Sequence, residues 1–201
     1  MQKDIVVAIT GATGVIYGIK LLEVLKGINH IQTHLVISDW GLKVVELETE
    51  YRPDEVAALA DFHHGFKELS APIASGSFQA DAMVIVPCSM KTLSAVAHGF
   101  ADNLIARAAD VMLKERRPLI LVPRETPLNR IHLDNMTLID KAGGVIMPAM
   151  PSFYHRPATL DDIVLQFTAR IADMLELPHQ LTKRWGVSPE GGGCNGGKTD
   201  F

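Results

Sequence analysis

Residues 5–18 read Ile5-Val6-Val7-Ala8-Ile9-Thr10-Gly11-Ala12-Thr13-Gly14-Val15-Ile16-Tyr17-Gly18. The first five are an unbroken apolar, mostly β-branched run, which predicts a strand buried on both faces. A threonine–glycine turn follows, and helical patterning then runs from Val15 to about Leu25. A strand passing through a glycine turn into a helix is the opening unit of a wound α/β sheet. Glycine permits tight turning and close ligand approach, and the N–H groups of a helix start favour an anion. The spacing Gly11-x-x-Gly14-x-x-x-Gly18 is not the dinucleotide fingerprint G-x-G-x-x-G. Two readings stand: an anion cradle to which Thr10 and Thr13 add hydroxyls, or a structural turn with Thr13 capping the helix.

The rest of the chain repeats the alternation. Strands are predicted at 33–38, 82–86, 118–122 and 144–147. Helical patterning covers 39–60 (with Pro53 at a helix start), 91–99, 103–116, 127–142 and 159–175. Residues 61–80 read as a long loop and 148–157 as a proline-punctuated one. The pattern predicts a Rossmann-like α/β three-layer sandwich with a mainly parallel sheet, formed by one domain over residues 1–185. The glycine-rich stretch 186–201 is expected to be a flexible tail. Ligands in such folds bind outside the carboxyl ends of the strands, so the turns there should carry the chemistry. Asp39, just after the second predicted strand, keeps a nicotinamide-binding oxidoreductase among the candidates, although the glycine spacing argues against it.

Composition narrows the function classes. The 201 residues carry a formal net charge of −4, against the basic surplus expected of a nucleic-acid binder. Mean hydropathy is high at +0.15, yet no run approaches 18 apolar residues, so no membrane partner is expected. The apolar surplus predicts surface buried between subunits. Two cysteines cannot build a disulfide framework or a zinc site unaided. The first residues lack signal-peptide character, and a cytoplasmic location is expected.

Several groups carry both a chemical and a bland reading. Cys88 could be a nucleophile, but with no helper histidine close in sequence a buried structural cysteine is favoured. Arg107 and Lys114 lie seven apart on a predicted helix, with Asp110 between them, so they form either a phosphate-binding face or a solvated charged stripe. Asp161-Asp162 could suggest a magnesium motif, but Thr159-x-x-Asp162 fits a helix cap better. His63-His64 reads as a solvated loop pair and His132 as structural.

A family resemblance then emerges from ordered motifs: TGATGVIYG at 10–18, ASGSF at 74–78, PCSMKTLS at 87–94, RAADVMLKERRPL at 107–119, VPRETPL at 122–128, HLDNM at 132–136 and MPSFYHRP at 150–157. Together these resemble the UbiX/Pad-type flavin prenyltransferases, within the homo-oligomeric flavoproteins that also include cysteine decarboxylases. The resemblance implies a metal-independent transferase that joins a dimethylallyl group from dimethylallyl monophosphate to N5 and C6 of reduced FMN. It also implies a UbiD-type decarboxylase as recipient of the product and a homo-oligomer, a dodecamer in the family pattern. By resemblance, FMN falls to Gly11, Ala12, Thr13, Ser38, Ser89, Met90, Lys91, Thr92 and Arg124. The donor falls to Ser75, Arg107, Lys114, Tyr154 and Arg170. Glu48 and Glu125 are implied in proton transfer or flavin orientation, relayed through Thr13. Leu69 stands where some relatives carry tryptophan. The rival readings are a flavoprotein that decarboxylates an aromatic or cysteinyl acid directly, and a flavin delivery protein without catalysis.

Overall fold

The structure, a computed structural model, describes residues 2–182 and 184. Six strands form one sheet: β1 (Lys3–Ile9), β2 (Ile31–Ile37), β3 (Phe62–His64), β4 (Ala82–Cys88), β5 (Leu119–Pro123) and β6 (Val145–Ile146). Their order is β3-β2-β1-β4-β5-β6, and every pairing is parallel. The expected mainly parallel sheet is therefore wholly parallel among the described residues. The helices are α1 (Val15–Lys26), α2 (Asp39–Glu48), α3 (Pro53–Ala57), α4 (Met90–Ala97), α5 (Leu104–Lys114), α6 (Arg130–Lys141) and α7 (Leu160–Met174).

Strand alternation divides the core. Ile5, Val7 and Ile9 of β1 join Val15, Ile19 and Leu22 of α1 and Phe167 and Ile171 of α7 on one face. Val6 and Ala8 turn to the other face and meet Leu93 of α4, Leu104, Ile105 and Met112 of α5, and Ile139 of α6. A strand apolar on both sides needs helices on both sides, which gives the three layers. Two positions depart from the sequence reading. The 39–60 segment is two helices, because Thr49 and Arg52 adopt extended backbone between them. The 61–80 loop contains β3, which pairs with β2 through His34↔Phe62, Leu35↔His63 and Val36↔His64, and a short 3-10 turn at Pro72–Ala74.

His63 and His64 therefore lie on an edge strand, not in a loop, and His64 is no solvated residue. Its Nε2 is 3.1 Å from Nδ1 of buried His34, whose Nε2 is 3.0 Å from Asp4 Oδ1. Burial, then the nearby His34, lowers the His64 pKa below the ordinary histidine value. His132 closes a capping box with Asn129 at the start of α6, a structural role. Thr159 and Asp162 form the expected capping box of α7. The glycine-rich stretch 186–201, with Cys194, lies outside the described residues.

Candidate functional site

The strand order reverses between β1 and β4, which is where a wound sheet opens a crevice for a ligand. A cavity of about 660 Å³ lies at that place. Gly11 enters it from the turn after β1, Ser38 and Asp39 from the turn after β2, and Ser89, Lys91 and Thr92 from the turn after β4. Trp40, Phe66 and Phe100 supply aromatic walls, and His98, Asp102 and Asn103 close the side facing α5.

The turns are built to present polar groups. Ser38 caps α2 by accepting from Gly41 N–H at 3.0 Å, and Ser89 caps α4 by accepting from Thr92 N–H at 3.3 Å. The Ser89 hydroxyl donates to Thr92 Oγ1 at 3.1 Å. Two helix N-termini, each fronted by a serine, thus face one cavity, and their macrodipoles favour an anion there. The Thr10 hydroxyl is used within the protein: it donates to Pro87 C=O at 2.8 Å and accepts from Ser89 N–H at 2.8 Å. It ties the first turn to the third rather than serving a ligand. Thr13 does not cap α1. Gly14 is the cap, at φ 95, a conformation that an L side chain strains to adopt.

Glu48, at the far end of α2, accepts the Gly14 N–H on Oε2 at 2.8 Å. The carboxylate therefore sits over the first turn beside Thr13 and is not an idle surface acid. Ala12 donates its N–H to Thr10 C=O at 2.8 Å, and Met90 is half-buried against the second core face. Arg124 and Glu125 follow β5, and Arg124 N–H donates to Cys88 C=O at 3.2 Å, next to the Ser89 turn. Their side chains are exposed and do not line the cavity. Cys88 is wholly buried, and burial pushes its thiol pKa far up, so it carries no nucleophile.

None of the five expected donor residues lines this cavity. Arg107 Nε donates to Ala74 C=O at 3.0 Å and its Nη1 to Asp110 at 2.7 Å. Ser75 Oγ is 2.8 Å from Ser77 Oγ, and Lys114 pairs with Glu115. These three make one patch between α5 and the 74–78 loop. Helix α5 starts beside the cavity and leads into β5, so Lys114 lies about 16 Å further along, towards the amino-terminal edge of the sheet. Tyr154 packs its ring on His155 at 4.0 Å between centroids, and Arg170 donates to Asp173 at 2.5 Å. One chain thus brings together the expected FMN turns but separates them from the expected donor groups. Phe66, Phe100, His98, Asp102 and Asn103 were missed by the sequence reading. Phe66 stands in the segment read as loop, and the other four in the connection between α4 and α5, where only the tertiary fold brings them to the cavity.

Among the described residues, no cluster of three or more His, Cys, Asp or Glu is placed to hold a metal ion, and no helix is long and apolar enough to cross a membrane. Comparison with known proteins is decisive about kinship. The family profile named Flavoprotein matches residues 1–177. Flavin prenyltransferase UbiX of Escherichia coli (strain K12) is 50% identical over 186 residues, covering 92% of this chain and 98% of that one. The structure of AnUbiX in complex with FMN and dimethylallyl pyrophosphate superposes with a TM-score of 0.91 at 48% identity, covering 94% of this chain and 100% of that one. The dodecameric FMN-dependent UbiX-like decarboxylase from Escherichia coli O157:H7 gives a TM-score of 0.90 at 48% identity, covering 92% of this chain and 100% of that one.

Proposed function

From the premise that the chain belongs to the flavoprotein family and, within it, to the UbiX-type flavin prenyltransferases, we propose that its cavity joins a dimethylallyl group from dimethylallyl monophosphate to N5 and C6 of reduced FMN. The observation that carries this is the convergence of the Gly11 turn and the serine-capped starts of α2 and α4 on one aromatic-walled cavity of about 660 Å³. That donor set suits a phosphate at one end and a flat, partly apolar ring beyond it.

Ser38, Ser89, Thr92 and Lys91, with Gly11 and the neighbouring backbone N–H groups, would hold the FMN phosphate and ribityl chain. Ala12, Thr13, Met90 and Arg124 complete the flavin-binding set. Bound reduced FMN supplies the nucleophilic N5 and C6. Transfer breaks the allylic C–O bond of the donor, and both electrons leave on the phosphate. Cationic groups that hold that phosphate stabilise it as it departs. Arg107, Lys114 and Arg170 fill this role in the reading, and Ser75 and Tyr154 add neutral hydroxyl donors. Because Lys114 lies far from its own cavity, it serves a neighbour's, and the active unit is a homo-oligomer, a dodecamer on the pattern of the relative. Joining N5 would release the N5 proton, and joining C6 would consume the prenyl C=C π bond, whose middle carbon gains a proton as C6 loses its own. Glu48 or Glu125 accepts the C6 proton, with Thr13 as relay, or the departing phosphate does. The product passes to a UbiD-type decarboxylase, and the soluble reactants suit the cytoplasm.

The name carried by the O157:H7 relative favours a second reading, direct decarboxylation. One experiment separates them. The protein is incubated anaerobically with reduced FMN and dimethylallyl monophosphate, and the filtrate is added to an apo UbiD-type decarboxylase with its aromatic acid. Carbon dioxide release that requires both proteins and the donor supports prenyl transfer. Release by this chain and FMN alone overturns it. Dimethylallyl pyrophosphate, run in parallel, decides which donor is used.

A further inference from the structure

Asp173, on the last turn of α7, is bound on both oxygens. Oδ1 accepts from His179 Nε2 at 3.0 Å and Arg184 Nη2 at 2.9 Å, and Oδ2 accepts from Arg170 Nη1 at 2.5 Å. His179 has its own fixed tautomer: Nδ1 accepts the Leu181 N–H at 3.4 Å, which leaves Nε2 as the donor towards Asp173. Its side chain is only 5% exposed. The segment that carries His179 is tied down by buried Leu175 and Leu177, and Glu176 between them takes a positive φ of 53 as the chain turns off the helix. Burial pushes the Asp173 pKa up, but hydrogen bonds from His179, Arg184 and Arg170 outweigh it and hold the carboxyl below the ordinary aspartate value.

The chemistry of this cluster is directional. Two groups outside α7 pin Oδ1, so Oδ2 points in a set direction and fixes one Nη of Arg170. An unrestrained arginine would have to be ordered each time an anion bound. A guanidinium has five donors in a planar fork, and Asp173 engages one side of it. Arg170 is otherwise well exposed, at 58% of its side chain, and can offer the rest of the fork outward.

We propose that Asp173 is a positioning residue that pre-orients Arg170 for the phosphate of the prenyl donor, with His179 and Arg184 as the clamps that set Asp173. The proposal rests on the reading of Arg170 as a donor-phosphate ligand. It gives the segment after α7 a function, that of bracing one side of the donor site.

The test is a double-mutant cycle on donor KM, kcat and FMN affinity. Asp173→Asn should raise the KM for dimethylallyl monophosphate about tenfold, the loss of one charge-assisted contact, with kcat and FMN affinity little changed. Asp173→Asn added to Arg170→Ala should raise KM no further, because Asp173 acts only through Arg170. If Arg170→Ala raises KM but Asp173→Asn does not, or if the two effects add in full, positioning is overturned while the donor reading of Arg170 stands. If Arg170→Ala leaves donor KM unchanged, that reading fails and the proposal falls with it. Should Asp173→Asn also lose FMN or assembly, Arg184→Gln removes one clamp and leaves the carboxylate in place. A smaller KM rise with FMN affinity intact supports the proposal, and an unchanged KM overturns it.

Discussion

Glu48 is the residue whose two roles can be separated by one atom. Its Oε2 holds the Gly14 amide, and it is also a proposed proton acceptor. Glu48→Gln keeps an oxygen for Gly14 but removes the basic group. Turnover should fall by about a hundredfold or more while FMN affinity holds. Full activity in the variant would leave Glu48 only as the cap of the first turn. Cys88 makes the opposite prediction. In a Cys194→Ser background, the buried thiol should resist iodoacetamide in the folded protein and react once denatured, as read by mass spectrometry. Gly18 tests packing: a Cβ there would approach Val86 C=O to 2.5 Å, so Gly18→Ala should lower stability by about 1–3 kcal/mol, seen as a fall in Tm.

At the scale of elements, the start of α7 offers a stability prediction with a definite sign. Asp162 accepts from Thr159 and Ala158 N–H, and these bonds lower its carboxyl pKa. A carboxylate whose folded pKa is lowered contributes stability above its unfolded pKa, about 3.9, and loses it as pH falls through the folded value. The wild type should therefore lose more Tm than Asp162→Asn between pH 5 and pH 3 (both about, given the reference value). Thr159→Ala should cost about 1 kcal/mol at neutral pH. The cap at Thr159 was legible because a short polar residue three places ahead of an acid, before an apolar period, has few other uses. The cap of α1 was not. Gly14 takes that place through its positive φ, a backbone property that no side chain announces. Strand β3 was also illegible: three residues in a 20-residue loop become a strand only because β2 offers them an edge. The buried His34–Asp4 pair likewise joins residues about 30 apart in sequence, through strand register alone.

For the whole molecule, a mainly parallel sheet covered on both faces followed from the alternation of short apolar runs with amphipathic helices, and so did the edge on which ligands should bind. The donor site did not. Arg107, Lys114 and Arg170 each read as surface charges on a helix, and the fold of one chain leaves them so. The family resemblance decided for them, and the proposed function places their purpose in a site shared between subunits. Complementation tests this. Lys114→Ala and Glu48→Gln should each be nearly inactive, yet oligomers assembled from a mixture should regain activity in about one pocket in four by random association. Mixtures that stay at the level of the parents would place Lys114 at its own chain's cavity. The exposed apolar side chains Leu47, Ile131, Met150, Phe153 and Leu160 fit burial in such an assembly. The most direct test of the central claim is the mass of the flavin recovered after anaerobic incubation of the protein with reduced FMN and dimethylallyl monophosphate. The account predicts FMN heavier by one dimethylallyl unit, formed only when protein and donor are both present. Recovery of FMN at unchanged mass, from protein that demonstrably binds it, would contradict it.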